Sequence, residues 1–323
     1  MEKDFQKYEY KVNDNKARIT GAFWNSMAIE VPEKIDGFEV TEIGDYAFSQ
    51  PIGDVVKLNF TTSPIEEIIL PNSIKKIGRY AFYNCRNLRR IQFYNTLKDI
   101  GAGAFTGCHK VREIDVTFVE NEKSCLRELL MELPEEQTIF YHSKQGEAKL
   151  IFPEFFEEAV ENTPARILET HTHGSGMMYR NCFVRQELQF HLYDERFEGA
   201  KGREYEDTLF RLVFGRLLYP YQLSEKAKKK YMSFLKDHIE TCIKWAAEKM
   251  REKECKFLAE HCISEQKTLE YLIEQVNKKS RVELTSYLME LKHQRFQVKR
   301  KTFELCIQFK NNNKKNSRKS RFA

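Results

Sequence analysis

The sequence predicts an α+β protein: a short repeat β-solenoid followed by a mainly α-helical repeat or bundle domain. The first observation is a 23-residue period, in which four landmarks recur at the same step: Ile77 and Ile100, Ala81 and Ala104, Cys85 and Cys108, Ile91 and Ile114. A fixed period of this length is typical of a solenoid with one coil per repeat. The second observation is the helical spacing of apolar residues along most of the chain from about residue 154 to 309, which predicts packed helices.

The repeated phrase also occurs upstream in weaker form. Ile43–Phe48 has the same pattern and precedes the next copy by 34 residues, which is one period plus 11. The extra residues fall around Ile52–Ser63, and we interpret them as an insertion loop with a short strand at Val55–Phe60. The sequence does not say whether this insertion binds a partner or only interrupts the solenoid.

Two features give the repeats a family resemblance. The phrase Ile35–Gly44 and the recurring Ala-Phe…Cys…Leu pattern are similar to BspA-type leucine-rich repeats over roughly residues 17–117. This resemblance implies a bacterial protein with a curved β-solenoid and a binding rather than a catalytic role. It also implies export for many proteins of this type.

Side chains alternate along the predicted strands of the repeats. Ile91 and Phe93 are apolar and alternate with Arg90 and Gln92, which is the period of a half-buried strand. Stacked in register, the strands form a parallel sheet, and its exposed face is the predicted protein-binding site: Glu67, Ile69, Arg90, Gln92, Glu113 and Asp115. The inward side chains that fill the core are the paired aromatic and thiol positions: Phe82, Phe105, Cys85 and Cys108.

Other elements follow the repeats. Lys123–Glu132 has helical apolar spacing, and we expect it to cover the open end of the solenoid, because a last coil exposes strand edges and apolar side chains. Thr138–His142 and Ala148–Phe152 predict a hairpin. Pro153 then ends the strand, and Glu154–Glu161 is predicted as a helix.

Serine residues mark the starts of three later helices. Ser224 is a plausible N-cap for a long helix that runs towards Trp245, and Ser264 and Ser280 begin further helices at Glu265–Asn277 and Arg281–His293.

A second, weaker repeat occurs among these helices. Met250–Leu258 and Ser280–Leu288 match at a shift of 30 residues, and this region is faintly similar to ankyrin-like helix pairs. The Thr-Pro-Leu-His phrase of ankyrin repeats is absent, so the prediction is limited to an α-helical repeat or bundle.

The chain divides by composition into three parts: a repeat domain with its cap at 1–135, a hairpin plus α-helical domain at 136–309, and a disordered basic tail at 310–323. The tail has six cations and no acid, so the rest of the chain, whose total charge is +5, sums to −1. Such a tail favours a solubilising end, and the alternative is a nucleic-acid-binding arm formed by Lys310, Lys314, Lys315, Arg318, Lys319 and Arg321.

Three features predict a cytoplasmic protein. Met1–Lys16 has no apolar run of the length that a secretory signal needs. No stretch approaches the 18 apolar residues of a membrane span. The eight cysteines form no CxxC pair, which favours free thiols in a reducing compartment. The chain is expected to be exported only if a signal peptide has been removed.

The strongest catalytic candidate is the pair His171 and His173. On a strand these two side chains point to one face, as the metal ligands of a hydrolase do. A third ligand could be His142, His191 or Glu169, but no spacing favours one of them. The barrel of such hydrolases is absent from the pattern, and no phosphate-binding glycine motif occurs. The sequence therefore predicts no enzyme activity, no catalytic residues, no cofactor and no metal, with a metal-dependent hydrolase as the remote alternative.

These observations favour a non-catalytic protein-binding or scaffold protein. Four coils at ~4.8 Å per step give a sheet only ~15 Å wide, whereas a stable interface needs ~800 Å² per partner. We therefore expect the protein partner to contact the helical domain as well as the solenoid face.

Overall fold

The structure is a computed structural model that describes residues 6–24, 26–49, 65–119, 121, 123–162 and 167–296. Its contacts divide the chain into two compact units, Met1–Leu235 and Lys236–Ala323. The composition-based boundaries at 135 and 309 stay a prediction. The predicted insertion at Ile52–Ser63, with its strand at Val55–Phe60, and the basic tail at 310–323 lie outside the described residues.

The first unit contains the repeat solenoid and the hairpin that follows it. Their strands are, in chain order, β1 (Gln6–Asn13), β2 (Lys16–Trp24), β3 (Ala28–Glu30), β4 (Lys34–Ile35), β5 (Phe38–Ile43), β6 (Glu67–Ile69), β7 (Lys76–Ile77), β8 (Arg90–Tyr94), β9 (Asp99–Ile100), β10 (Glu113–Thr117), β11 (Gln137–Ser143) and β12 (Gly146–Phe152). One sheet has the order β1-β2-β5-β7-β9, with β4 on β5, and the other has the order β12-β11-β10-β8-β6-β3. Three successive coils, with the strand pairs β3 and β5, β6 and β7, and β8 and β9, each give one strand to each sheet, which confirms the predicted solenoid.

Equivalent residues of successive coils stack on each other in the corners of the coils. The rings of Phe48, Phe82 and Phe105 stack in series, with centroids 5.2 and 5.1 Å apart. Beside them, the Cys85 thiol donates to the Phe48 carbonyl at 3.3 Å, and the Cys108 thiol donates to the Phe82 carbonyl at 3.2 Å. The predicted core positions are therefore confirmed, because each coil buries its phenylalanine and thiol against the coil before it.

The last coil is covered by the helix α1 (Leu126–Glu132), as predicted. In earlier coils the corner N–H groups donate to carbonyls of the following coil, as the N–H of Phe82 does to Ala104. The last coil has no following coil. Its Gly103 and Phe105 N–H groups instead donate to the two carboxylate oxygens of Glu132, both at 2.9 Å. The Glu132 carboxylate thus supplies the two hydrogen-bond acceptors that a following coil would supply at this corner.

The predicted hairpin is confirmed, and it extends the repeat sheet. β11 pairs parallel with β10, and β12 pairs antiparallel with β11. The outer strand β12 is covered on its backbone by Tyr193, whose hydroxyl accepts from the Ile151 N–H at 2.8 Å and donates to the Ile151 carbonyl at 2.7 Å. An edge strand covered in this way is closed to further strands at that point.

The prediction of a helix at Glu154–Glu161 is wrong. The segment forms β13 (Phe156–Asn162), which pairs antiparallel with β14 (Ile167–His173). The Phe156 ring stacks on His173, with centroids 4.3 Å apart. The reason for the error is cross-strand pairing with a segment further along the chain, which local periodicity does not report.

Helices and a small hairpin complete the first unit. In chain order they are α2 (Gly176–Arg180), β15 (Phe183–Val184), β16 (Glu187–Leu188), α3 (Phe190–Glu195), α4 (Phe197–Ala200), α5 (Glu206–Leu218) and α6 (Glu225–Asp237), whose last two residues belong to the second unit. Two arginines are fully buried among them. Arg216 forms a bidentate pair with Asp194, at 2.7 and 3.1 Å. Arg180 donates to four backbone carbonyls: Leu130, Leu133, Glu135 and Pro153. These bonds fix α2 to the cap and the hairpin.

The second unit is helical, as predicted. It contains α7 (Ile239–Glu248), α8 (Glu252–Phe257), a π-helical turn (Leu258–Cys262), α9 (Gln266–Asn277) and α10 (Val282–Phe296). The single long helix predicted from Ser224 towards Trp245 is wrong, because His238 leaves the helical region at φ −117° and ψ 29° and separates α6 from α7. The apolar stripe continues across this break, so periodicity does not reveal it. The ankyrin likeness stays a prediction.

Candidate binding face of the repeat sheet

The predicted site residues lie together on one face of the sheet that contains β6, β8, β10 and β11. Adjacent strands pair in register, so that the outward side chains form two columns. We call these eight residues the repeat face; the first column is Glu67, Arg90, Glu113 and Thr138, and the second is Ile69, Gln92, Asp115 and Phe140. The intervening isoleucines are buried, at most 1% exposed: Ile68, Ile91, Ile114 and Ile139. The six predicted residues thus share the outward side of the sheet, and their role in binding a protein stays a prediction.

Arg90 connects the polar side chains of the repeat face. Its Nη2 donates to Asp115 Oδ2 at 2.6 Å, and its Nε lies 3.5 Å from Glu67 Oε1. Gln92 Nε2 donates to the same Glu67 oxygen at 2.6 Å. The hydrogen bond to Asp115 raises the pKa of Arg90 above its ordinary value. Because the Arg90 side chain is 40% exposed, these contacts contribute little to stability, but they hold the side chains in a fixed pattern.

The hairpin adds polar and aromatic groups that the sequence reasoning did not place on the face. His142 Nε2 lies 2.8 Å from Asp115 Oδ1, and its Nδ1 lies 3.2 Å from Glu147 Oε1. The Lys149 ammonium lies over the Phe140 ring, 5.3 Å from its centroid. The signal for this extension was present, since Ile139 follows Ile114 by 25 residues, close to one period.

The face is wider than a four-coil sheet, because β11 and β12 continue it to six strands. Six strands at ~4.8 Å spacing span ~24 Å, and five residues at ~3.3 Å span ~17 Å. The resulting area of ~400 Å² is about half of the ~800 Å² per partner in a stable interface. A protein that binds here therefore needs further surface beyond the face itself.

An open cleft of about 470 Å³ borders the face where β8 and β10 begin, and its lining is mostly cationic: Arg89, Arg90, Lys110, Arg112 and Glu113. Arg89 and Arg112 each precede a strand of the sheet by one residue, and the Arg112 N–H donates to the Arg89 carbonyl at 3.0 Å. We call Arg89, Lys110 and Arg112 the basic ridge. The sequence reasoning treated these residues only as parts of the repeat.

The histidines of the hydrolase alternative do not form a metal site. His171 and His173 lie on β14 and are exposed, and His173 Nε2 contacts Glu158 at 3.2 Å. His142 belongs to the repeat sheet, and His191 is exposed on α3. Within the described ranges, no three His, Cys, Asp or Glu side chains have an arrangement that could hold a metal ion. The seven cysteines that the structure describes are buried free thiols, as predicted.

A comparison with protein families decides the nature of the repeats. The family model described as the BspA type leucine rich repeat region matches residues 54–129, with six copies. Residues 54–129 therefore contain BspA-type leucine-rich repeats. This confirms the resemblance that the Ala-Phe…Cys…Leu phrases indicated. The family match ends within α1, at residue 129, and a search of curated proteins gives no match.

Three solved structures of leucine-rich proteins match part of this chain. A leucine rich cell surface protein from Faecalibacterium prausnitzii is 24% identical, with a TM-score of 0.28, and the match covers 38% of this chain and 32% of that one. A leucine-rich repeat protein from Bacteroides ovatus is 21% identical, with a TM-score of 0.27 and coverages of 37% and 31%. The T. pallidum leucine rich repeat protein is 22% identical, with a TM-score of 0.20 and coverages of 42% and 80%. The match thus spans about a third of the first two proteins.

The location of the protein remains a prediction. Among the described helices, none combines the length and the apolar composition needed to cross a bilayer.

Proposed function

We propose that this chain is a non-catalytic protein-binding or scaffold protein whose repeat face contacts a protein partner. The observation that supports the proposal is the in-register grid of outward side chains across β6, β8, β10 and β11. Proteins with BspA-type repeats commonly bind other proteins, and the family match in residues 54–129 is consistent with this role. No catalytic residue is proposed.

The chemistry of the repeat face suits recognition of another protein. Phe140 and Ile69 are half-buried apolar side chains in one column, and aromatic and arginine side chains dominate binding energy at protein interfaces. Arg90 is already held by Glu67 and Asp115. A side chain fixed before binding loses less conformational entropy on association, so the network favours affinity more than stability.

The small area of the face supports a second contact. Since the face supplies about half of the area that a stable interface needs, we propose that the same partner also contacts the α-helical part of the chain. Tyr205, which directly precedes α5 in the first unit, is an exposed apolar side chain of this part, at 85% exposed.

Affinity capture from a lysate of the source cell, with and without nuclease, tests the proposal. The full chain serves as bait, and the variant Ile69→Ala/Phe140→Ala removes the apolar side chains of the face. The matched control is Val12→Ala/Val184→Ala, which removes two exposed apolar side chains from the same unit, outside the repeat face. We expect a protein captured by the wild type and the control, in both nuclease conditions, to be lost from the face variant.

Two outcomes contradict the proposal. A partner that the face variant retains at full yield places the binding site elsewhere on the chain. Capture that collapses with nuclease for wild type and variants alike supports the alternative, in which residues 310–323 bind nucleic acid. A separate Tyr205→Ala variant that loses the partner would support the helical contact.

A further inference from the structure

The basic ridge is a cluster of cations on adjacent coils beside the repeat face. Arg89, Lys110 and Arg112 are all exposed and line the same open cleft. Two of the three donate to neutral groups: Lys110 Nζ donates to Asn87 Oδ1 at 2.8 Å, and Arg112 Nη1 donates to the carbonyls of His109 at 2.9 Å and Val111 at 2.6 Å.

These cations contrast with the other charges of the same sheet. Arg90, one residue after Arg89, is within reach of two carboxylates, Asp115 at 2.6 Å and Glu67 at 3.5 Å. In the part of the chain that the structure describes, no carboxylate lies within salt-bridge distance of the three ridge residues. Glu113 lines the cleft as its one acid. The cleft therefore has an excess of positive charge that the described residues do not neutralise.

The repeat geometry keeps these charges close together. Arg89 and Arg112 occupy equivalent positions of neighbouring coils, 23 residues apart, and neighbouring strands are ~4.8 Å apart. Like charges at this spacing repel each other, although water and salt weaken the repulsion at the surface. An anion between them removes the repulsion and accepts charge-assisted hydrogen bonds from the planar guanidinium groups.

We propose that the basic ridge binds carboxylate side chains of an acidic segment of the protein partner. The proposal rests on the proposed function of the repeat face and names the chemistry of its ligand. A nucleic acid is less suited, because the face next to the ridge carries Glu67, Glu113 and Asp115, and a phosphate backbone that ran across them would be repelled. A protein segment can place acidic side chains at the ridge and other groups on the mixed face.

Fluorescence anisotropy with a fluorescein-labelled oligoglutamate peptide tests the ridge directly. The charge-reversal variant Arg89→Glu/Arg112→Glu is compared with the wild-type full chain, and we expect its dissociation constant to rise about tenfold or more. The matched control is Lys16→Glu/Lys34→Glu, which makes the same charge change at two exposed positions of the other sheet. The control should bind within about twofold of wild type. The cationic residues of 310–323 are present in all three proteins, so their background binding is common to each comparison.

Three results would overturn the proposal. Equal affinities of the ridge variant and the control would show that only overall charge matters. Binding of an oligoglutamine peptide as tight as that of oligoglutamate would show that carboxylates are not recognised. A DNA oligonucleotide of equal charge that binds more tightly than oligoglutamate, and is lost with the ridge variant, would make the ridge a nucleic-acid site. If the charge reversal unfolds the chain, Arg89→Gln/Arg112→Gln replaces it.

The proposals for the basic ridge and for the repeat face can be refuted separately. Loss of oligoglutamate binding in the ridge variant, together with full capture of the partner by Ile69→Ala/Phe140→Ala, would leave the ridge as an anion site and refute the function of the face. Unchanged oligoglutamate binding in the ridge variant, together with loss of the partner from Ile69→Ala/Phe140→Ala, would refute only the proposal for the ridge.

Discussion

Glu132 is the residue whose removal tests the account of the solenoid cap most directly. Its two carboxylate oxygens accept the N–H groups of Gly103 and Phe105, both at 2.9 Å, where earlier corners use carbonyls of the following coil. The substitution Glu132→Ala leaves both N–H groups without a protein acceptor. Phe105 is only 1% exposed, so water reaches its N–H poorly.

The magnitude follows from the number and kind of these bonds. A hydrogen bond to a charged group contributes ~1.5–3 kcal/mol, and a buried donor without a partner loses its full solvation. Two such bonds give ~3–6 kcal/mol, and the half-exposed position of Glu132 favours the lower end, about 3 kcal/mol. Glu132→Gln keeps one acceptor oxygen and should lose about half of this, ~1.5 kcal/mol.

Urea unfolding followed by circular dichroism measures the loss, and hydrogen exchange of the peptide that contains Gly103 and Phe105 locates it. The control is Glu128→Ala on the same helix, which removes one exposed bond at 3.2 Å to Gln186 and should lower the free energy of unfolding by ~0.5–1 kcal/mol. If Glu132→Ala unfolds at the same urea concentration as Glu128→Ala, with unchanged exchange at the corner, the cap account is wrong.

Two further predictions concern buried groups. Asp194→Ala should lower the free energy of unfolding by ~3–5 kcal/mol, because Arg216 is 0% exposed and would stay buried without its carboxylate. Urea unfolding measures this loss. The control is Glu198→Ala, which breaks an exposed pair with Lys201, and an equally small loss for Asp194→Ala would contradict the prediction. Burial is the main cause that raises the pKa of Cys255 from 9.0 to about 12. The contribution of the thiol to stability is therefore complete below pH 9 and falls as the pH rises towards 12. The fall is at most about 1.4 kcal/mol per pH unit. The melting temperatures of wild type and Cys255→Ala should therefore converge above pH 9, and parallel curves would refute the assignment.

The sequence alone determined the repeat domain. The 23-residue step requires equivalent residues of successive coils to lie beside each other, and so it placed Cys85 and Cys108 in the core and Arg90 beside Glu113 on the sheet. The alternation of apolar and polar residues then decided which side chains face outward. These inferences needed only local periodicity, which a linear sequence contains in full.

The tertiary structure decided the remaining features. Pairing of β13 with β14, and of Glu132 with the corner N–H groups, joins segments that no fixed period relates. The basic ridge was recognised only from the salt bridges of the described residues, in which Arg90 pairs with carboxylates and Arg89 does not. The physical reason is that hydrogen bonds and charge pairing depend on distances in space, whereas a sequence pattern reports only which positions are equivalent.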